Sequence, residues 1–360
     1  MLSDDPVRVA IFNDTRSDHH YGCELVMKNL LTLLAGENAQ VVWSWPVNRD
    51  WRKFRDYLPE PGTVDLILVN GEGSMHDGGR RWRPQALADV AELAQQHFKV
   101  PAFLLNATFY NNPPTLYEKL HAFTGLWVRD RASQALLAEH GLEADYAPDL
   151  TLSIPAPAHH AAGGVNRNQA LIRDQQASGI WCIDSVLAPV REKLTAIAQQ
   201  RGWEYYSLNT APRFPHWPRL PLRLRLKLLF KYYNPLARRQ DFGCVDDFLR
   251  AMVQAKALIS GRYHAVTMAL LTGTPFVAVE SNTPKSSNLL MDVFGETNRS
   301  ITVDNLETAD VLPELMGWDA RENHQRLAFL DLAEERNGQM IKAVTEAARQ
   351  NRSARASGSS

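Results

Sequence analysis

The sequence predicts an α/β protein built from two doubly wound halves with a cleft between them. Three observations carry this reading. Short apolar runs alternate with helical patterns from Val7 onward, a Pro-, Ala- and Gly-rich stretch interrupts the alternation near mid-chain, and the alternation then resumes. At 360 residues the chain also exceeds the roughly 250–300 residues that one hydrophobic core ordinarily serves.

The elements follow in order. "VRVAIFND" reads as a strand, and the amphipathic "CELVMKNLLTLLAG" as a helix stopping at Gly36. "AQVVWSW" is a strand and "WRKFRDYL" a helix; "VDLILVNGEGS" is a buried strand running into a glycine-rich turn. The helix "PQALADVAELAQQHF", the strand "VPAFLLNAT" and the strand–helix pair in "LWVRDRASQALLAEHG" complete the first half. Near-continuous apolar strands of this kind belong to parallel sheets covered on both faces. "DYAPDLTLSIPAPAHHAAGGVNRN" reads as the linker. Beyond it come a strand at "QALIRD", a helix near "SVLAPVREKLTAIAQQRG", a strand at "WEYYSLN" and a helix at "CVDDFLRAMVQA". "KALISGRYHAVTMALLTG", "TPFVAVE" and "SITVD" continue the pattern. The expected domains are two Rossmann-like halves, 1–155 (acceptor side) and 166–318 (donor side). A helix over 319–349 packs back across them, and 350–360 is a disordered tail.

Composition narrows the function. Apolar residues are 45% and charged residues 22%, with a formal net charge of -1. No global field draws the molecule to nucleic acid, so charge preferences are local. The three cysteines lack C-x-x-C spacing, which argues against a disulfide framework or a zinc site and fits a reducing cytoplasm. The N-terminus reads as a strand and not as a signal peptide. No stretch approaches the roughly 20 apolar residues of a membrane span.

The motifs sit at carboxyl ends of expected strands, where open α/β sheets bind ligands. In "ISGRYHA", Gly261 permits a sharp turn and Arg262 and His264 fall at the start of a helix. Free N–H groups and the helix dipole favour an anion there. Arginine adds a two-pronged donor for carboxylate or phosphate, and histidine trades a proton near neutral pH. "TPFVAVESNTPK" ends likewise in Glu280, Asn282 and Lys285. In the first half, Asn70, Gly71, Glu72, Gly73, Ser74 and His76 follow a buried strand, offering an N–H nest for an anion or sugar hydroxyl. This is neither a P-loop nor a G-x-G-x-x-G fingerprint. "DTRSDHHYGCE" supplies His20, Gly22 and Glu24, and "WVRDRAS" supplies Arg129. His19, His20 and His76 are a tempting metal set, but adjacent histidines rarely ligate one ion together, and no metal is expected. Arg213–Gln240 holds eight Lys or Arg and no acid, interleaved with aromatics. Arg219, Arg223, Arg225, Lys227 and Lys231 there suit an anionic membrane surface or a lipid-linked acceptor.

"NGEGSMH", "VRDRAS" followed by "APD", and above all "SGRYHA…TGTPFVAVESNTPK" resemble the polysaccharide pyruvyl transferase family, from the first strand to about Gly295. The resemblance implies a glycosyltransferase-B-like architecture, phosphoenolpyruvate as donor, and a bacterial surface glycan sugar or lipid-linked oligosaccharide as acceptor. It places Arg129, Arg262 and His264 at the donor, with Lys285 at the family's lysine. His264 is then the candidate general acid/base, and Glu72 or Glu24 the group that orients or deprotonates the acceptor. No cofactor is needed beyond the donor, and a cytoplasmic site at the inner membrane face is expected. One departure stands out: "HHYGCE" keeps Gly22 and Glu24 but carries Cys23 where the family has an acid. A metal-independent glycosyltransferase using a nucleotide sugar such as CMP-Kdo is the alternative, and a non-catalytic glycan-binding module a third reading.

Overall fold

The computed structural model describes residues 5–154, 178–210, 242–280, 283–308 and 317–357. They divide into two compact units. The first comprises Met1–Asp18, Val26–Ile154 and Ala328–Ser360; the second comprises His19–Leu25 and Pro155–Leu327.

The first unit holds strands β1 (Val7–Asp14), β2 (Ala39–Pro46), β3 (Leu66–Asn70), β4 (Ala102–Ala107), β5 (Gly125–Val128) and β6 (Asp145–Tyr146). Helix α1 (Tyr21–Gly36) begins in the second unit and runs into the first, which also holds α2 (Trp82–Leu93), α3 (Pro114–Leu120) and α4 (Arg131–Glu139). The strands form one parallel sheet in the order β2-β1-β3-β4-β5-β6. Alternation along the strands decides what lies on each face. Val9, Ile11, Leu66 and Leu68 pack against Met27, Leu30 and Leu34 of α1, and against Met340, Ile341 and Val344 of the C-terminal helix. Ala10, Phe12, Ile67 and Val69 pack against Ala86, Val90 and Leu137 on the other side. Both faces are dry, which explains the unbroken apolar runs.

The second unit contains β7 (Ser178–Ser185), α5 (Ala188–Arg201), β8 (Glu204–Tyr206), α6 (Val245–Val253), β9 (Ala255–Gly261), α7 (Tyr263–Thr272), β10 (Phe276–Val279), α8 (Lys285–Phe294), β11 (Ser300–Ile301) and α9 (Val303–Thr308). Its parallel sheet runs β8-β7-β9-β10-β11. Each sheet thus reverses its strand order once, beside its first strand: between β1 and β3, and between β7 and β9. A crevice opens at such a reversal, outside the carboxyl ends of the strands. Apart from half-buried His264, α7 is buried throughout, as its all-round apolar sequence requires.

Four expectations change. "WRKFRDYL" forms two 3-10 turns, Trp51–Lys53 and Arg55–Tyr57, because its apolar residues find no shared core: Trp51 is buried, but Phe54 and Tyr57 are exposed. The expected linker begins too early, since β6 and a turn at Leu150–Leu152 still belong to the first unit; "QALIRD" lies outside the described residues, and the strand of this region is β7. His19–Leu25 joins the second unit. Finally, α10 (Ala320–Ser357) continues through most of the expected disordered tail. Good helix formers carry it, and Arg352 anchors it by donating to the Asp5 and Pro6 carbonyls and pairing with Asp65 at 3.7 Å.

Candidate active site

The reversal point of the second sheet is built by β7, β9 and the start of α7. Ser185 pairs with Gly261 just after a shift of register between β7 and β9, and a side chain at position 261 would put its Cβ 2.6 Å from that of Ser185. Only glycine lets the two strand ends approach so closely. Arg262 then occupies the N-cap of α7 with extended backbone and makes no side-chain cap. Its guanidinium turns instead to Asp184, donating from Nε to Oδ1 at 2.8 Å and from Nη2 to Oδ2 at 2.9 Å. The fork uses one edge of the guanidinium and leaves Nη1 outside it. The Arg262 side chain keeps 13% of its surface exposed, enough to meet a ligand. An arginine fixed at a helix start that lacks a side-chain cap offers donors of the kind anions use.

The beginning of α1 is fastened to the same region. The His19 carbonyl accepts from Thr210 N at 2.7 Å, and Tyr21 N donates to the Leu208 carbonyl at 3.1 Å. The Tyr21 ring stacks on Phe248 with centroids 4.7 Å apart, and its hydroxyl accepts from Phe242 N. These ties set His20 edge-on to His264, ring centroids 5.5 Å apart. Gly22 fills the remaining space: a Cβ there would lie 2.3 Å from His264 Cβ and Cγ. Gly22 N donates to His20 Nδ1 at 3.0 Å. Burial, and then the charges of His264, Arg262 and Lys285, hold His20 well below the usual imidazole range, so it stays neutral. Lys285, at the start of α8, places Nζ 5.8 Å from the Tyr263 ring centroid. His20, Cys23 and His264 offer ligand atoms that all lie within 4.8 Å of one another. The arrangement combines two cations with neighbouring imidazoles, suited to holding an anion and moving a proton.

The first unit carries its own polar cluster at the β1/β3 reversal. Thr15 Oγ1 donates to buried Glu72 Oε2 at 2.7 Å, and Asn13 Nδ2 donates to Ser74 Oγ at 3.1 Å. Asn70 Oδ1 accepts from Glu72 N. Gly71 passes Ala107 so tightly that a Cβ would come within 2.6 Å of the alanine's, and Gly73 adopts φ 58°. His76 Nδ1 contacts Asp77 Oδ2 at 2.8 Å while Arg81 Nη1 reaches its Nε2 at 2.8 Å.

Arg129 lies buried within the first unit. Its Nη1 donates to Asp149 Oδ2 at 2.7 Å and its Nε to Thr108 Oγ1 at 2.8 Å, with the side chain 1% exposed. A charge so enclosed requires such a partner. Glu24 accepts from Val245 N at 3.4 Å, at the start of α6. Glu280 is exposed, whereas Asn282 and the basic residues Arg219, Arg223, Arg225, Lys227 and Lys231 lie outside the described residues. Sequence reasoning missed Asp184, since its strand was not anticipated, and treated Cys23 only as a departure. The apolar run "GIWCI" ending in Asp-Ser was the available signal.

A family model for polysaccharide pyruvyl transferase matches residues 20–283. The chain belongs to this family. It is therefore a transferase, and the match spans both the "NGEGSMH" turn and the "SGRYHA" junction. Among solved structures, the polysaccharide pyruvyl transferase chain is similar to a protein described as a UDP-N-acetylglucosamine 2-epimerase from Listeria monocytogenes. Identity is 11%, coverage 95% of this chain and 96% of that one, and the TM-score 0.53. That likeness is one of fold: two Rossmann-like units of the glycosyltransferase-B type. A UDP-GlcNAc 2-epimerase from Neisseria meningitidis, bound to UDP-GlcNAc, is 10% identical, with 90% of this chain and 98% of that chain covered at a TM-score of 0.48. No curated protein matches the sequence. Among the described residues, no helix is long and apolar enough to cross a membrane.

Proposed function

We propose that this chain transfers the pyruvyl group of phosphoenolpyruvate to a sugar of a bacterial surface polysaccharide or its lipid-linked precursor, forming a ketal. One observation carries the reading within the family: Arg262, His264 and Lys285 all stand near enough to His20 that their charges add to its burial in holding that ring below the usual imidazole range. Phosphoenolpyruvate bears a carboxylate and a phosphate, and two cations answer two anionic groups.

In this mechanism the outer corner of Arg262 and the Lys285 ammonium hold the donor. His264, protonated, delivers a proton to the methylene carbon, and positive charge develops at C2. A sugar hydroxyl attacks C2 and loses its proton, with Glu24, of the same unit, as the candidate acceptor of it. Phosphate then leaves with its electron pair, and a second hydroxyl attacks the same carbon to close the ketal, releasing a second proton. One donor and two hydroxyls thus give one ketal and one phosphate. Proton transfer of this kind contributes roughly 10²–10⁴-fold in rate. Arginine and lysine supply the charge stabilisation, so the reading requires no metal. Asp184 is a positioning residue, and Arg129 has a structural role in the first unit.

The reading is tested by thermal shift of the purified chain with phosphoenolpyruvate and with a panel of nucleotide sugars, including CMP-Kdo. Stabilisation by phosphoenolpyruvate supports it. Stabilisation by a nucleotide sugar alone would favour glycosyl transfer. The basic segment Arg213–Gln240 is proposed to meet an anionic membrane; co-sedimentation with phosphatidylglycerol vesicles that persists after Arg223, Arg225 and Lys227 are changed to Glu contradicts that.

A further inference from the structure

We propose that His20, Cys23 and His264 form an inhibitory site for a thiophilic divalent cation, Zn²⁺ being the natural probe. The argument begins with spacing. His20 immediately precedes α1 and Cys23 lies in its first turn, so the two stand three residues apart on one side of the helix start. His264 comes from the first turn of α7 and approaches the same side. Their ligand atoms lie within 4.8 Å of one another, a separation that small side-chain rotations reduce to that of ligands sharing one zinc. Two imidazoles and a thiol are borderline-to-soft donors, which select zinc or copper over magnesium or calcium. Three protein ligands also leave a fourth position open.

The chemistry around the cluster suits a reversible site. Loading replaces the Cys23 thiol proton with metal, and the resulting thiolate offsets one of the ion's two charges. Two features oppose tight binding. The Gly22 N–H must surrender its hydrogen bond to His20 Nδ1 whichever ring nitrogen binds, because ligation through Nε2 places the ring proton on Nδ1. Arg262 and Lys285 add positive charge nearby, although Asp184 neutralises the first. The site is therefore regulatory in strength and not structural. A cation held by the His264 ring takes the imidazole out of proton transfer. That consequence rests on the proposed pyruvyl transfer, while the binding itself does not.

Co²⁺ titration of the full-length chain separates the two. Thiolate coordination to Co²⁺ gives a charge-transfer absorption in the near ultraviolet. The expected result is this band at one equivalent, its displacement by Zn²⁺, its loss in Cys23→Ser, and its persistence in Cys244→Ser. Zn²⁺ should also inhibit transfer from phosphoenolpyruvate at least 10-fold, reversed by EDTA and much weakened in Cys23→Ser. No band in the wild-type chain, or a band unchanged by Cys23→Ser, overturns the site. A band without inhibition leaves the metal site standing and overturns its inhibitory role. If Cys23→Ser does not fold, Cys23→Ala and zinc calorimetry on the wild-type chain decide: a stoichiometry near zero overturns the proposal.

Discussion

Asp184, on β7, and Arg262, just after β9, are joined at the point where strand order reverses in the second sheet, through a two-pronged ion pair of 2.8 and 2.9 Å. The pair holds the guanidinium by one edge and leaves Nη1 outside the fork. Asp184→Asn keeps the shape but removes the charge and one acceptor. Catalytic efficiency with phosphoenolpyruvate should fall about 10- to 100-fold, chiefly through KM, with roughly 1–3 kcal/mol of stability lost. Steady-state kinetics and denaturant unfolding measure both. An unchanged KM would show that Arg262 does not meet the donor.

Gly22 lies against the His264 ring with no room for a methyl group. Gly22→Ala must push the ring aside or shift the start of α1, at a cost of about 1–3 kcal/mol. Turnover should drop at least 10-fold while circular dichroism stays native. Normal turnover in a folded Gly22→Ala protein would mean that the position of His264 does not matter.

Arg129 and Asp149 form an ion pair in the interior of the first unit. Removing one partner strands the other charge. Asp149→Asn is expected to cost about 3–5 kcal/mol, and pairing it with Arg129→Met should recover part of the loss. Equilibrium unfolding of the two variants and the double mutant supplies the coupling energy.

Asp65 shows how acid weakens the fold. Burial alone would push its carboxyl up, but hydrogen bonds and charge from Arg8, with the charge of Arg352, outweigh this and hold it below the usual carboxylate range. A depressed value stabilises the folded state above the unfolded pKa, near 3.9. That contribution disappears as pH falls below about 4 through the folded value. Asp65→Asn should remove roughly 1 kcal/mol at pH 7, a figure discounted for the exposure of Arg8, and flatten the acid limb of stability against pH. Unfolding midpoints measured from pH 2 to 7 test this.

Much of the second unit was legible because its chemistry sits inside an uninterrupted apolar pattern. "ALISG" and "YHAVTMALLT" declare strand, glycine turn and buried helix, so the placement of Arg262 and His264 at a strand-to-helix junction could be read from position alone. Partners contributed by distant segments were not legible. Asp184 meets Arg262 across 78 residues, and His20 and Cys23 reach His264 only because residues 208–210 hold the start of α1 in the second unit. Spacing cannot reveal such pairings, for they depend on tertiary placement. The partner of Arg129 was hidden for a related reason. An arginine after a strand looks the same in sequence whether it faces a crevice or an interior carboxylate, and Asp149 decides the matter in this chain.

The proposed chemistry is tested most directly by following ³¹P signals as the purified chain consumes phosphoenolpyruvate with a lipid-linked oligosaccharide acceptor. The expected result is inorganic phosphate appearing in step with pyruvylated acceptor, and a loss of at least about 10²-fold in His264→Gln with donor binding retained. Phosphate release at the wild-type rate by His264→Gln, or a donor left intact by the wild-type chain while a nucleotide sugar is turned over, would contradict it.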